Sequence, residues 1–316
     1  MENDIERVLG QLDETQSANP FWQDRIRARD LGFRCQPLKA TSNRHEPRMQ
    51  AALKASERIG ELSAEINSIK DEYPIHVYWT RINGIYDEVV NFLDARSLQY
   101  SPPAVRWYLC AKKITELTAQ YVMRPARILE IGAGGGELAY FTYEMCPWQQ
   151  YVVVDLPPML ANLHANLRTK IAGVNFVVNE WPGEPVDGPQ IVLLDPGHAC
   201  VIPQDTMDVG LNFNSFSEMD ESIRDGYIAL VYRCLRPDSV FYHVNRRQPK
   251  MTRVDGSTFD NHPLLYPYRH DDRVIEFDLD YSQQDVRCQI FRSYPRLPVS
   301  RVAIVRPSGT GAGRGQ

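Results

Sequence analysis

From Arg127 onward, continuous apolar runs alternate with segments of helical periodicity. The runs are "RILEI" (127–131), "YVVVDL" (151–156), "IVLLD" (191–195), "DVGLNF" (208–213) and "SVFYHVN" (239–245). Between them lie "ELAYFTYEM" (137–145), "PPMLANLHANLRTK" (157–170) and "MDESIRDGYIALVYRCL" (219–235). Strands without polar alternation are buried on both faces, and the helices between them supply the cover. That pattern predicts an α/β fold with a mostly parallel sheet. "RVIEFDLDY" (273–281) and "RVAIVRP" (301–307) can close the sheet, which gives seven strands.

The first 122 residues read differently. Ile5, Val8, Leu9 and Leu12 share one helical face behind a cap at Asn3 or Asp4. Ile59, Leu62, Ile66 and Ile69 form a narrow stripe suited to packing on another helix, or to a homodimer seam. "DEYPIHVYWTRINGIYDEVVNFLD" is rich in aromatics. Tyr73, Tyr78 and Trp79 within it suit either a lid over a site or a packed core. Ser101-Pro102-Pro103 is a helix start, and the helix should run to about Met123. The expected division is therefore a helical lid or accessory region (1–122), an α/β domain (123–307) and a flexible tail (308–316).

Composition narrows the functions. The formal net charge is -5 and the pI about 5.8, so the chain lacks the basic excess that nucleic-acid binding calls for. The six cysteines are scattered with no C-x-x-C pair, which argues against zinc or a dithiol redox centre. The opening "MENDIERVLGQLDETQ" is acidic and amphipathic, and no apolar stretch reaches the ~18 residues of a membrane span. A reduced, cytoplasmic protein with a small-molecule partner is expected.

The glycine-rich turn after the first strand, "EIGAGGGEL" (130–138), points to a nucleotide-like cofactor. A triphosphate loop needs Lys and then Ser or Thr after its last glycine, and here Glu137 and Leu138 stand there. A dinucleotide pattern starting at Gly132 fails at Glu137. The relaxed form Gly134, Gly136, Ala139 starts two residues beyond the strand. Glu130 discriminates further, because a pyrophosphate seeks donors and an ammonium seeks a carboxylate.

Acid-x-Gly-x-Gly-x-Gly, here Glu130, Gly132, Gly134 and Gly136, resembles the first motif of class I S-adenosylmethionine-dependent methyltransferases. The resemblance implies a Rossmann-like methyltransferase sheet binding S-adenosylmethionine, with S-adenosylhomocysteine as product. Ala133 and the three glycines would line the methionine end. Asp155, 19 residues after Gly136, would accept the ribose hydroxyls, and Leu156 would cover adenine. A helix cap before Pro157 is the alternative for Asp155. Asp195 would meet the adenine amine if "IVLLD" is the third strand; "VNFVVN" (174–179) competes for that place. A nicotinamide-dependent oxidoreductase remains an alternative, as does a cofactor-binding partner subunit without catalysis.

The stretch Asn212-x-Asn214-Ser215-Phe216-x-Glu218-Met219, "DLPPML" (155–160) and "FYHVN" (241–245) resemble a family of sugar O-methyltransferases from bacterial polysaccharide and natural-product pathways. This similarity covers roughly residues 126–250. It implies a glycosylated small-molecule acceptor, with a non-sugar metabolite or peptide as the alternative. Asn212 and Phe213 would then adjoin the methyl donor. Asn214, Asn245 and Arg246 would contact the acceptor. A sugar hydroxyl has to lose its proton during methyl transfer, so a base is needed. Glu218 and His243 are the candidates, set against a helix-dipole role for Glu218 and a packed strand position for His243. His262 and His270 are the reserves. No metal-ligand spacing is evident.

Overall fold

The computed structural model describes residues 47–59, 72–122, 124–184, 188–252, 256–279 and 298–306. The helix expected at Ile5–Leu12, the stripe residues Leu62, Ile66 and Ile69, and the tail 308–316 lie outside the described residues.

Among the described residues, four helices precede the sheet: α1 (Pro47–Ile59), α2 (Glu72–Ile82), α3 (Tyr86–Asp94) and α4 (Pro102–Tyr121). α4 begins as its sequence requires. The Ser101 hydroxyl accepts the Ala104 amide at 3.3 Å, and two prolines occupy the first turn. The alternating region follows as β1 (Arg127–Ile131), α5 (Glu137–Met145), β2 (Gln150–Val154), α6 (Pro157–Leu167), β3 (Asn175–Val178), β4 (Gln190–Leu194), β5 (Met207–Phe213), α7 (Glu221–Cys234) and β6 (Leu235–Arg246). Beyond β6 a small hairpin, β7 (Gln248–Thr252) and β8 (Thr258–Asn261), stands apart from the sheet. β9 (Arg273–Leu279) and β10 (Pro298–Ile304) return to it.

The sheet has eight strands in the order β3-β4-β2-β1-β5-β6-β10-β9, and only β10 runs against its neighbours. This is a mostly parallel Rossmann-like sheet, with one strand more than the seven expected. The extra strand arises because both contenders for third place are strands. "IVLL" pairs with β2, and "NFVV" pairs outside it as the edge. β3 is only partly buried, as an edge strand should be, whereas β4 is buried along its length.

Two apolar layers sandwich the sheet. On one face Ile128, Tyr151, Val153, Leu211, Phe213 and Tyr242 pack against α4, α5 and α6. On the other, Leu129, Ile131, Val152, Val154 and Phe241 pack against α7. α1, α2 and α3 join the first layer through Met49, Val77, Val89 and Leu93, so among the described residues the helices before β1 share a core with the sheet. No described helix is long and apolar enough to cross a membrane.

After β1 the chain works outward through β2 to β4 and then returns to place β5 on the other side of β1. Such a reversal opens a crevice at the carboxyl ends of the two flanking strands, where ligands of open α/β sheets bind. The glycine turn after β1 and the loop after β5 both end there.

Candidate active site

The glycine turn is shaped for close approach. Gly132, Gly134 and Gly136 all have positive φ, at 75°, 60° and 84°. A Cβ on Gly132 would lie 2.3 Å from Oγ of Ser215, which itself donates to the Ile131 carbonyl at 3.0 Å. A side chain at 132 would therefore push apart the loops that end β1 and β5. Gly136 caps α5 in the left-handed conformation.

Acidic groups gather around this turn. Glu130 and Glu137 are buried, and Asp155 stands at the end of β2. Oε2 of Glu130 accepts the Tyr151 hydroxyl at 2.7 Å. Burial foremost pushes the Glu130 carboxyl up to about 8; the Tyr151 hydrogen bond opposes this, and the charges of Asp155 and Glu137 add to it. Asp155 rises to about 6 through burial, against the pull of the Leu156, Gly134 and Ala133 backbone amides. Its Oδ2 accepts Gly134 N at 3.1 Å and its Oδ1 accepts Leu156 N at 2.7 Å. Leu156 is the residue that caps α6, and its side chain remains partly exposed.

Asp195 follows β4 directly beside Asp155, whose amide donates to the Leu194 carbonyl at 3.2 Å. Its carboxylate is taken up locally. Asn179 Nδ2 donates at 2.8 Å, the Gly197 amide at 2.8 Å and the His198 amide at 3.2 Å, and His198 Nδ1 lies 2.9 Å away. An adenine amine would have to share these oxygens. Tyr227 of α7 is held up at about 12, first by burial and then by the charges of Asp155 and Asp195, so its hydroxyl lies within the field of both acids.

The loop after β5 is tied down by a chain of buried side chains. Asn212 Nδ2 donates to the Ile131 carbonyl at 2.8 Å and to Ser215 Oγ; its Oδ1 accepts Asn245 Nδ2 at 2.9 Å. Asn245 Oδ1 accepts the Ser217 amide at 3.1 Å, and its amide nitrogen lies 3.3 Å from His243 Nδ1. His243 Nε2 lies 2.9 Å from the Tyr268 hydroxyl, which donates to the Pro263 carbonyl at 2.8 Å. All three strand residues are fully buried.

This chain bears on three of the expected site residues. Asn212 and Asn245 spend their amides on the strand ends and loop, so neither presents a free amide to the methyl donor or to a sugar. His243 has both ring nitrogens committed among Phe216, Phe241, Tyr266 and Tyr268. Burial, reinforced by Arg301, lowers its pKa to about 3, so it holds no proton affinity suited to a base near neutrality.

The remaining candidates line the ends of β5 and β6. Phe213 is buried and meets Trp107 of α4 edge-on, with ring centroids 6.3 Å apart. Asn214 adopts the left-handed conformation at φ 67°, and its amide donates to the Val244 carbonyl at 2.8 Å. Glu218 ends a single 3-10 turn (Ser215–Glu218) and pairs with Arg246 at 3.3 Å; their side chains are 13% and 27% exposed. α7 begins at Glu221, three residues later, so the first-turn acidic residue is Glu221 and not Glu218. His262 Nδ1 accepts the Leu264 amide at 3.1 Å, and His270 is exposed. Tyr73 is buried and donates to the Tyr100 carbonyl at 2.6 Å, while Tyr78 and Trp79 are half-buried. Among the described residues, no group of three or more His, Cys, Asp or Glu could hold a metal ion.

Sequence reasoning missed Tyr151, Ser215, Tyr268 and Trp107. Tyr151 carried a signal, a polar-tipped ring ahead of the three valines of β2. The other three become visible only once the strand ends are brought together.

No family model matches the sequence, and no curated protein matches it. Solved structures of similar fold include 1,6-didemethyltoxoflavin-N1-methyltransferase from Burkholderia thailandensis. It is 16% identical with a TM-score of 0.37, covering 86% of this chain and 95% of its own. Magnesium protoporphyrin IX methyltransferase from Synechocystis PCC 6803 is 9% identical with a TM-score of 0.39, covering 65% and 81%. The cyclase SpnF is 13% identical with a TM-score of 0.38, covering 61% and 80%. The chemistry of the present chain therefore rests on its own site.

Proposed function

We propose that the protein is an S-adenosylmethionine-dependent methyltransferase. One observation carries the reading: buried Glu130 and half-buried Asp155 stand beside a left-handed glycine turn, both raised by burial, and Glu130 also by the charges of Asp155 and Glu137. Buried acids of this kind are relieved by a cation. The methyl donor offers two positive charges, an ammonium and a sulfonium, whereas the pyrophosphate of a dinucleotide would add negative charge at the same place. The donor supplies a methyl group activated by its sulfonium. Glu130 would hold the ammonium, the glycine amides the methionine end, and Asp155 the ribose hydroxyls, exchanging its present amide partners for them.

For the acceptor we favour a sugar hydroxyl, supported by the motif from Asn212 to Met219 and by "FYHVN". Glu218 is the partly exposed carboxylate at the end of the β5 loop, paired with Arg246. In this reading the attacking oxygen forms its bond to the methyl carbon as the carbon–sulfur bond breaks. The electron pair leaves on sulfur, and the hydroxyl proton passes to a Glu218 oxygen. Arg246 orients that carboxylate. His243 and Asn245 hold the loop and take no proton. The described helices before β1 serve as the cover.

Thermal unfolding with added ligands tests the donor assignment. S-adenosylmethionine and S-adenosylhomocysteine should each raise Tm by mass action, and NAD or NADP should not. Stabilisation by NAD alone overturns the reading. Mass spectrometry of products from a panel of glycosylated and non-sugar acceptors tests the sugar.

A further inference from the structure

α4 runs antiparallel to β1, so its first turns stand at the carboxyl ends of the strands. Two contacts fix the direction. Arg124, just past α4, meets Asp208 near the start of β5 at 2.7 Å, whereas Trp107 meets Phe213, the last residue of β5. Phe213 lies two residues beyond Leu211, which is the register partner of Glu130 on β1. Trp107 therefore reaches the sheet on the face that carries Glu130, at the end where the glycine turn opens.

The indole Nε1 of Trp107 is buried and has no hydrogen-bond partner among the described residues. Buried polar hydrogens in folded proteins are nearly always satisfied, and an unsatisfied one beside a binding crevice calls for an acceptor from the ligand. An α-amino acid carries its ammonium and its carboxylate on one carbon. A ligand whose ammonium is held by Glu130 thus brings two acceptor oxygens to the same end of the crevice.

We propose that the Trp107 indole N–H donates to the α-carboxylate of the methyl donor, which makes α4 part of the cofactor site. The proposal rests on the methyltransferase reading above. It assigns the indole a selective task, recognition of the amino-acid end and not of the adenosine end. Phe213 meets the ring in a T-shaped pair, centroids 6.3 Å apart.

Calorimetric titration of the full chain and its Trp107→Phe variant with two probes tests this. S-adenosylhomocysteine carries the carboxylate; 5′-methylthioadenosine keeps the adenosine and thioether but lacks the amino-acid end. The variant should bind the first roughly 10- to 100-fold more weakly, the range for losing one hydrogen bond to a charged group. It should bind the second within about twofold of the parent. Equal weakening of both probes means a packing role and overturns the proposal, as does unchanged affinity for both. If the parent binds neither probe, the methyltransferase reading falls and this proposal falls with it. Should Trp107→Phe not fold, the parent labelled with 15N-tryptophan decides. One of its five indole resonances should move downfield with S-adenosylhomocysteine and not with 5′-methylthioadenosine, and should persist in Phe variants of the other four tryptophans. No such resonance overturns the proposal.

Discussion

Nε2 of His243 lies 2.9 Å from the Tyr268 hydroxyl, whose own hydrogen points at the Pro263 carbonyl 2.8 Å away. A hydroxyl has one hydrogen to give, so the imidazole must be the donor, and its Nδ1 accepts from Asn245. The ring is locked as one neutral tautomer. Its pKa falls from about 6.5 unfolded to about 3 folded, so the native state binds fewer protons than the unfolded chain between those values. The stability from burying it neutral is complete above pH 6.5 and is lost as pH falls towards 3, at up to about 1.4 kcal/mol per pH unit. Denaturant titrations at pH 7, 6, 5 and 4 should show this loss in the parent and a shallower one in His243→Gln. Parallel curves would assign the acid sensitivity elsewhere.

Glu130 and Asp155 act with the opposite sign. Their folded pKa values, about 8 and about 6, lie above the ordinary 4.5 and 3.8, so their contribution is full below about pH 4 and is lost as pH rises, by about 6 for Asp155 and by about 8 for Glu130. Glu130→Gln keeps an acceptor for Tyr151 and removes the charge. Without ligand it should gain stability over the parent at pH 8 and not at pH 5, while binding S-adenosylhomocysteine more weakly. In the parent, affinity should tighten from pH 6 to 8 with proton release, read by calorimetry in buffers of different ionisation enthalpy. Proton uptake on binding would contradict this electrostatic account.

Gly132→Ala introduces two separate penalties. Alanine at φ 75° is strained by ~1–2 kcal/mol, and its Cβ would lie 2.3 Å from Ser215 Oγ. Adding Ser215→Gly removes the collision and leaves the strain. The double variant should therefore be more stable than Gly132→Ala, with an interaction energy of about 0.5–3 kcal/mol in a double-mutant cycle. Simple additivity would mean that the two loops do not press on one another.

Glu218→Gln should lower turnover by roughly 10²–10⁴-fold, the span for losing a general base. Calorimetric affinity for the methyl donor should stay near the parent value, because the proposal assigns the carboxylate to the acceptor side. Near-normal turnover on the true acceptor would show that the hydroxyl proton leaves by another route.

The alternation of "RILEI", "YVVVDL", "IVLLD" and "DVGLNF" with helical segments was enough to foresee the sheet, because buried parallel strands need no polar alternation. It could not rank "IVLLD" against "VNFVVN". Both are strands, and only the pairing of Gln190–Leu194 with β2 decides which is central. Glu130 and the glycines could be read because acid and turn are contiguous in sequence. The roles of Asn212, His243 and Asn245 could not. A polar residue at a strand end looks the same whether it faces a ligand or a buried partner, and the deciding partner, Tyr268, is 25 residues away from His243.

The hydrogen-bonded chain from the Ile131 carbonyl to the Pro263 carbonyl joins segments whose stability would otherwise be independent. Asn261 extends it, donating to the Phe216 carbonyl at 2.9 Å and accepting from buried Arg224 at 2.8 Å. Lifting any one link strands buried donors and acceptors in the next, so local fraying is suppressed. The loop after β5, the turn after β1 and the segment around Tyr268 thus behave as a single cooperative opening unit, and their slowest amides should exchange with solvent together.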